Sequence, residues 1–311
     1  MNILKNCVLC PRKCGVNRYE TVGYCGATNK IRLAYYSLHE WEEPVLSGDK
    51  GSGTIFFSHC NMKCIYCQNK KISIDGYGKE ITNKKFEEIV LKLQKMGAHN
   101  INLVTPTHYV QNISNVLKKI KGDKLKIPVV YNTSSYDSII ALKLMNGLVD
   151  IYLADLKYYD DNLAMTYSGC PNYFENATMA LDEMYRQVGR FELNKSGKLM
   201  KKGLIVRVLI LPGHIDDAKK IIEYLYKTYG DDIIISIMNQ YTPVNYCLYN
   251  NLNRKLNKEE YDEVLNYAAK LGITNAFVQG EETASESFIP DFDISVIWYL
   301  CENISNYFAF I

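Results

Sequence analysis

The chain has 311 residues, 47% of them hydrophobic, enough at this length to bury roughly 75% of the surface its unfolded form exposes. Lys and Arg number 36 against 34 Asp and Glu, a formal net charge of +2. A balance so close to neutral has no field to draw in nucleic acid or an acidic lipid surface, so neither partner is expected.

The chain opens Met1-Asn2-Ile3-Leu4-Lys5-Asn6-Cys7, with no apolar run of signal-peptide length before the first cysteine. A cytoplasmic location is the expectation. Seven of the 10 cysteines fall within the first 67 residues, and clusters of that kind in a cytosolic chain point to metal, with disulfides disfavoured. Cys7, Cys10, Cys14 and Cys25 form the first group. Four thiolates close either a zinc tetrahedron or an iron-sulfur cluster, and spacing alone does not choose between them. Gly15 and Gly26 beside them permit the tight backbone of a metal knuckle. Residues 1–48 are expected to form a small Cys-rich metal-binding segment.

From residue 53 onward, apolar β-type runs alternate with helix-length amphipathic segments. The pattern predicts strands at 53–58, 100–105, 127–132, 150–156, 204–211, 233–239 and 273–279. Helices are expected at 83–96, 110–121, 135–145, 172–188, 216–229 and 258–271, the first capped by Thr82 or Asn83 and ended by Gly97, the last ended by Gly272. Lys195 to Lys202 reads as a solvated loop. Strand and helix repeated in this way imply a parallel sheet with right-handed crossovers. About six such units favour a partial (β/α)6 TIM-like barrel with an open side for a substrate, spanning 49–290. Residues 291–311 are predicted to form a packed terminal helix, a tail anchor being the second reading.

Directly after the first predicted strand comes His59-Cys60-Asn61-Met62-Lys63-Cys64-Ile65-Tyr66-Cys67-Gln68-Asn69. Three thiols cannot complete a structural zinc site, nor ligate all four irons of a cubane, so one iron would stay open to a small molecule. The plainer alternatives are a zinc site completed by His59 or His39, and inert buried thiols.

The C-x3-C-x2-C spacing of Cys60, Cys64 and Cys67, with Tyr66 before the last cysteine, resembles the signature of the radical S-adenosylmethionine (radical SAM) superfamily. The resemblance implies a 4Fe-4S cluster on these three residues and S-adenosylmethionine chelated to the open iron. One electron then splits the cofactor to a 5′-deoxyadenosyl radical, which takes a hydrogen atom from a substrate. The wider pattern, from Cys7 through His39, Glu42-Glu43-Pro44 and Gly48 into Gly51-Ser52-Gly53-Thr54 and on toward Pro290, resembles an uncharacterised family described as similar to pyruvate formate-lyase activating enzyme. That likeness implies an electron donor such as flavodoxin or ferredoxin. It offers as substrate a glycyl radical enzyme, or else a peptide or small metabolite. A non-catalytic zinc-binding module is the competing class.

Asp155-Leu156-Lys157 at the end of a strand resembles the Asp-x-Lys motif of activating enzymes, which reaches S-adenosylmethionine. Asp155 could accept from the cofactor's ammonium or ribose and Lys157 could meet its carboxylate; the alternative is a strand-end ion pair. Arg207, inside the apolar run 204–211, is expected to point into the barrel toward a carboxylate. Asn132 and Thr133, and Met238-Asn239-Gln240-Tyr241, are strand-end polar groups of the kind that meet a ribose or a substrate, with ordinary turns the alternative. Gln279, Glu281 and Glu282 are similar. Thr105, another candidate cofactor contact, lies in Val104-Thr105-Pro106-Thr107-His108, where many activating enzymes carry Gly-Gly-Glu for the cofactor's amino group; the sequence departs from the family there. His108 and His214 are candidate acid-base groups or simply hydrogen-bonded. Cys170 and Cys247 lie near the cavity or in the core, and Cys301 has no metal partner at useful spacing.

Overall fold

The computed structural model describes residues 2–244 and 246–279. An irregular N-terminal segment leads into strand β1 (Ile31–His39), a short helix α1 (Pro44–Ser47) and β2 (Ser52–Phe57). The loop that follows carries the three-cysteine motif into α2 (Lys70–Ser73) and β3 (Lys79–Ile81). Helix α3 (Asn83–Lys95) starts where Thr82 accepts from the Lys85 amide, and it buries Phe86, Ile89, Val90 and Leu93, one face at the 3.6-residue period. Then come β4 (Ile101–Val104), α4 (Val110–Ile120), β5 (Val129–Thr133), α5 (Ile139–Met145), β6 (Ile151–Asp155), α6 (Asp161–Ser168) and α7 (Tyr173–Val188). A two-residue β7 (Glu192–Leu193) precedes β8 (Met200–Leu209), α8 (Ile215–Tyr229), β9 (Ile234–Met238), α9 (Lys258–Lys270) and β10 (Ala276–Val278).

The strands lie in the order β10-β9-β8-β6-β5-β4-β2-β1-β3. From β2 to β10 every neighbouring pair is parallel, each crossover passing through a helix as parallel pairing requires. β1 runs antiparallel to β2, and β3 antiparallel to β1. The two end strands, β10 and β3, do not pair, so the curved sheet stays open as a partial barrel. Every residue of β2, β5 and β9 is buried, as strands covered on both faces are, including the polar Ser52, Thr54, Asn132, Thr133 and Ser236. Among the described residues no helix is long and apolar enough to cross a membrane.

All seven predicted strands and all six predicted helices are present, with local corrections. Helix α5 begins at Ile139 because Ser138 caps it by accepting from the Ala141 amide, while Ser135 sits at φ +62. Lys201 and Lys202 belong to β8, whose start pairs antiparallel with β7, so the expected loop shrinks to the turn before Met200. The terminal helix and the residues Glu281, Glu282 and Cys301 lie outside the described residues.

Two arginines fasten the N-terminal segment to the barrel. Buried Arg18 donates to the carbonyls of Ala27, Thr28 and His108. Arg12, between Cys10 and Cys14, donates to the carbonyls of Asn61 and Gly169 and lies 3.4 Å over the ring of Tyr24.

Candidate active site

The parallel strands deliver their C-terminal ends to one mouth, where open α/β sheets bind ligands. At the end of β2, His59 takes the left-handed conformation, φ +74, and donates its amide to the Ile72 carbonyl at 2.8 Å. Its imidazole is wedged between Gly26 and Gly76, where an added Cβ would fall 3.0 and 2.5 Å from the ring. Lys63 is also left-handed. The curled loop sets Cys60, Cys64 and Cys67 on the wall of a single cavity. Each sulfur has a donor: the Met62 amide to Cys60 at 3.4 Å, the Ser168 hydroxyl to Cys64 at 2.9 Å and the Ser73 hydroxyl to Cys67 at 3.3 Å.

Burial pushes the Cys60 thiol up to about 12 and raises Cys67 as well. Anionic sulfur there therefore requires an adjoining positive centre, and the donors trained on the sulfurs suit one. Among the described residues no three His, Cys, Asp or Glu side chains are gathered so as to hold a single metal ion. A cubane places its cysteines on different irons, so the Cys60, Cys64 and Cys67 arrangement fits a cluster without converging on one point. A zinc ion would require the sulfurs within about 4 Å of one another, given bonds of ~2.3 Å.

The facing wall carries Thr105, Asn132, Thr133, Asp155, Lys157 and Arg207, so every candidate cofactor residue lines the same cavity as the three cysteines. Lys157 Nζ donates to Asp155 at 2.7 Å. Burial works against the ammonium, but Asp155, through its charge and hydrogen bond, together with the Cys64 and Cys67 sulfurs holds Lys157 above its ordinary value. Thr105 has φ +58, its amide donating to the Asn132 carbonyl at 2.8 Å. The Thr133 hydroxyl is committed to buried Asp137 and to the Ser135 amide. Arg207 does meet carboxylates, as expected. They come from Glu42 and Glu43, just before α1, with Glu43 gripped through two hydrogen bonds at 2.7 Å. Burial alone would raise the Glu43 carboxyl; Arg207 holds it below the usual range.

Two oxygens on the cavity wall, Asn69 Oδ1 and Thr242 Oγ1, are buried without a hydrogen-bond partner. Such orphans mark where a polar ligand would donate. Neither residue stands out in the sequence, beyond Asn69 closing the motif. Met238, Gln240 and Tyr241 also line the cavity, while Gln279 accepts from the Asn239 amide and donates to Gln240 behind them.

His108 and His214, the two candidate acid-base groups, do not line this cavity. His108 is buried, its Nε2 against the Ser58 carbonyl at 2.8 Å, and burial lowers it to about 3; His214 packs with Tyr167 and Asn251. Cys247 hydrogen-bonds within its own loop. Cys170 is fully buried, yet it takes a hydrogen bond from Arg12 at 3.4 Å and is electrostatically near Cys60, Cys64 and Cys10, so a spare thiol stands between the two cysteine groups. In the N-terminal group, burial pushes Cys10 up to about 12, with Cys25, Cys14 and Cys7 adding to the shift. These four do not line the cavity.

An open α/β barrel whose cavity is lined by three thiols, a Lys-Asp pair and Arg207 suits an enzyme that works through a bound cofactor. The Radical SAM superfamily profile matches residues 54–225, more than half of the chain, and the chain belongs to that superfamily. Its cofactors are a 4Fe-4S cluster and S-adenosylmethionine. An uncharacterised protein of Methanocaldococcus jannaschii is 33% identical over 288 residues, covering 88% of this chain and 77% of its own. Among solved structures, Streptococcus suis SuiB bound to its precursor peptide SuiA superposes with a TM-score of 0.50 at 14% identity, over 72% of this chain and 47% of that one. SuiB bound to S-adenosylmethionine gives 0.49 at 14% identity, over 73% and 52%. The chain thus spans about half the length of the SuiB structures it resembles.

Proposed function

We propose that Cys60, Cys64 and Cys67 hold the 4Fe-4S cluster, that S-adenosylmethionine occupies the adjoining cavity, and that the substrate is a polypeptide reaching in through the open side of the barrel. The observation that carries this reading is the single cavity shared by the three thiols, Asp155, Lys157, Asn132, Thr105 and the orphaned oxygens of Asn69 and Thr242. When bound, the two cofactors supply a 5′-deoxyadenosyl radical able to remove a hydrogen atom from carbon. The chain's own work is to hold and orient. Lys157, kept charged by Asp155, meets the cofactor carboxylate. Asp155 takes the ammonium or a ribose hydroxyl, and the buried walls keep water from the reacting centre.

A polypeptide substrate is favoured by the open edge of the sheet and by Trp41, a cavity-lining residue that is 65% exposed; SuiB, of the same fold, was solved with a peptide bound. The activating-enzyme version, with a partner's glycine loop as substrate and flavodoxin or ferredoxin as electron donor, rests on the Asp155-Leu156-Lys157 likeness. Thr105-Pro106 in place of Gly-Gly-Glu counts against it. Cys7, Cys10, Cys14 and Cys25 are proposed as a second metal site, zinc or an auxiliary cluster; that no three of them are gathered on a single point favours the cluster, as at the motif. The test is the triple variant Cys60→Ala, Cys64→Ala, Cys67→Ala, reduced anaerobically with S-adenosylmethionine. It should form no 5′-deoxyadenosine, and undiminished formation would sink the assignment.

A further inference from the structure

Of the three motif thiols, Cys64 has the shortest hydrogen bond, and behind its donor stands a file of hydroxyls. Ser168 Oγ lies 2.9 Å from Cys64 Sγ, Tyr158 Oη 2.7 Å from Ser168 Oγ, and Tyr66 Oη 2.7 Å from Tyr158 Oη. Tyr158 and Ser168 are buried, at 0% and 2% exposure, and Tyr66 borders the cavity. Three separate pieces of chain build the file: the motif loop for Cys64 and Tyr66, the segment after β6 for Tyr158, and the last residue of α6 for Ser168. Gly169 ends α6 in the left-handed conformation, and Arg12 Nη2 donates to its carbonyl at 3.0 Å.

The direction of the file follows from counting protons. A ligating sulfur carries none, so it can only accept, and Ser168 must spend its single proton on it. The 2.7 Å contact with Tyr158 then requires the tyrosine to donate, and Tyr158, having one proton too, must accept from Tyr66. Every hydroxyl thus points its proton toward Cys64, each polarising the next.

We propose that Ser168, backed by Tyr158 and Tyr66, tunes the reduction potential of the cluster through the Cys64 sulfur. This rests on the assignment of Cys60, Cys64 and Cys67 as cluster ligands. Hydrogen bonds to cluster sulfurs are among the levers that set such potentials. A proton aimed at Cys64 stabilises the negative charge that reduction adds, so the donor makes the centre easier to reduce. Ser168, which touches the ligand, and Tyr158, which acts through Ser168, are positioning residues and do not touch the substrate.

The experiment is a potentiometric titration, followed by electron paramagnetic resonance, of the full-length chain loaded anaerobically with iron and sulfide. Ser168→Ala should move the potential to more negative values, by at least a tenfold change in the reduced-to-oxidised ratio, which is about 59 mV for one electron. Tyr158→Phe removes one oxygen, leaves Ser168 in place, and should shift the potential the same way by less. Should Ser168→Ala not retain iron, Tyr158→Phe decides alone. Tyr158→Phe holding wild-type iron at the wild-type potential overturns the proposal, whatever Ser168→Ala does. A wild-type chain that takes up no iron overturns the ligand assignment instead, which separates that failure from this one.

Discussion

Replacing Arg207 by Leu removes the cation that Glu42 and Glu43 share, without touching the cysteine loop. The side chains concerned are 14%, 7% and 5% exposed, so water cannot take over the role of the guanidinium. Taking one partner from a buried ion pair costs about 3–5 kcal/mol, and with two carboxylates stranded together the expected loss lies at the upper end, roughly 5 kcal/mol. The pH dependence gives the sharper test. In the wild type Glu43 sits below its ordinary value of 4.5 despite burial, because of Arg207. Its stabilising contribution is therefore present above that value and fades as pH falls through the lower folded one. In the variant only the Ser236 and backbone hydrogen bonds still oppose burial; the folded value should rise above the unfolded one, with the penalty greatest near neutrality and relieved on acidification. Urea unfolding of both chains, prepared alike, at neutral pH and at about pH 5 should show the gap narrowing as pH falls. A difference under about 1 kcal/mol at neutral pH, or a gap that widens with acid, would refute the reasoning.

Asp155→Asn or Lys157→Met should weaken S-adenosylmethionine binding by roughly 10- to 100-fold, the weight of a charged hydrogen bond, with iron content unchanged; an unaltered dissociation constant in both returns the pair to a purely structural role. Gly76→Ala places a Cβ 2.5 Å from His59 Cε1 at a position with φ +67, so it should cost more than about 1 kcal/mol and reduce iron uptake by displacing the residue beside Cys60. Melting curves and iron assays report both effects. Cys7→Ala should lower thermal stability, or slow turnover with substrate, while the chemically reduced protein still splits S-adenosylmethionine; loss of that cleavage in a protein retaining its iron would move the catalytic centre to the N-terminal group.

The barrel was legible because its signal is local. Runs such as 204–211, apolar but for Arg207, arise because parallel strands are covered on both faces, and the helices between them carry a plain 3.6-residue stripe. β1 and β3 went unseen: β1 lies outside the strand-helix repeat with a mixed burial pattern, and β3 has three residues, two of them exposed. Helix α6 is eight residues long, with buried positions confined to Ala164, Tyr167 and Ser168. The Asp155-Lys157 pair could be read because its members are two residues apart. Arg207 announced that it needed a carboxylate, but Glu43 is 164 positions away, and nothing in one sequence ties such positions together. Tyr158 and Ser168 were silent for the same reason, since a lone hydroxyl looks like any other until its partner is in place.

The Arg12 clasp has a bearing on synthesis. Its acceptors are the carbonyls of Asn61 and Gly169, the second 157 residues further along the chain. Translation at about 5–20 residues per second puts roughly 8–30 s between the appearance of Arg12 and that of its more distant partner. For that interval the segment carrying Cys7, Cys10, Cys14 and Cys25 is held only by contacts whose partners appear sooner, Arg12 with the Asn61 carbonyl and Arg18 with that of His108. The order in which the ribosome exposes these acceptors thus fastens the segment in steps, with the bond to Gly169 the last of the three.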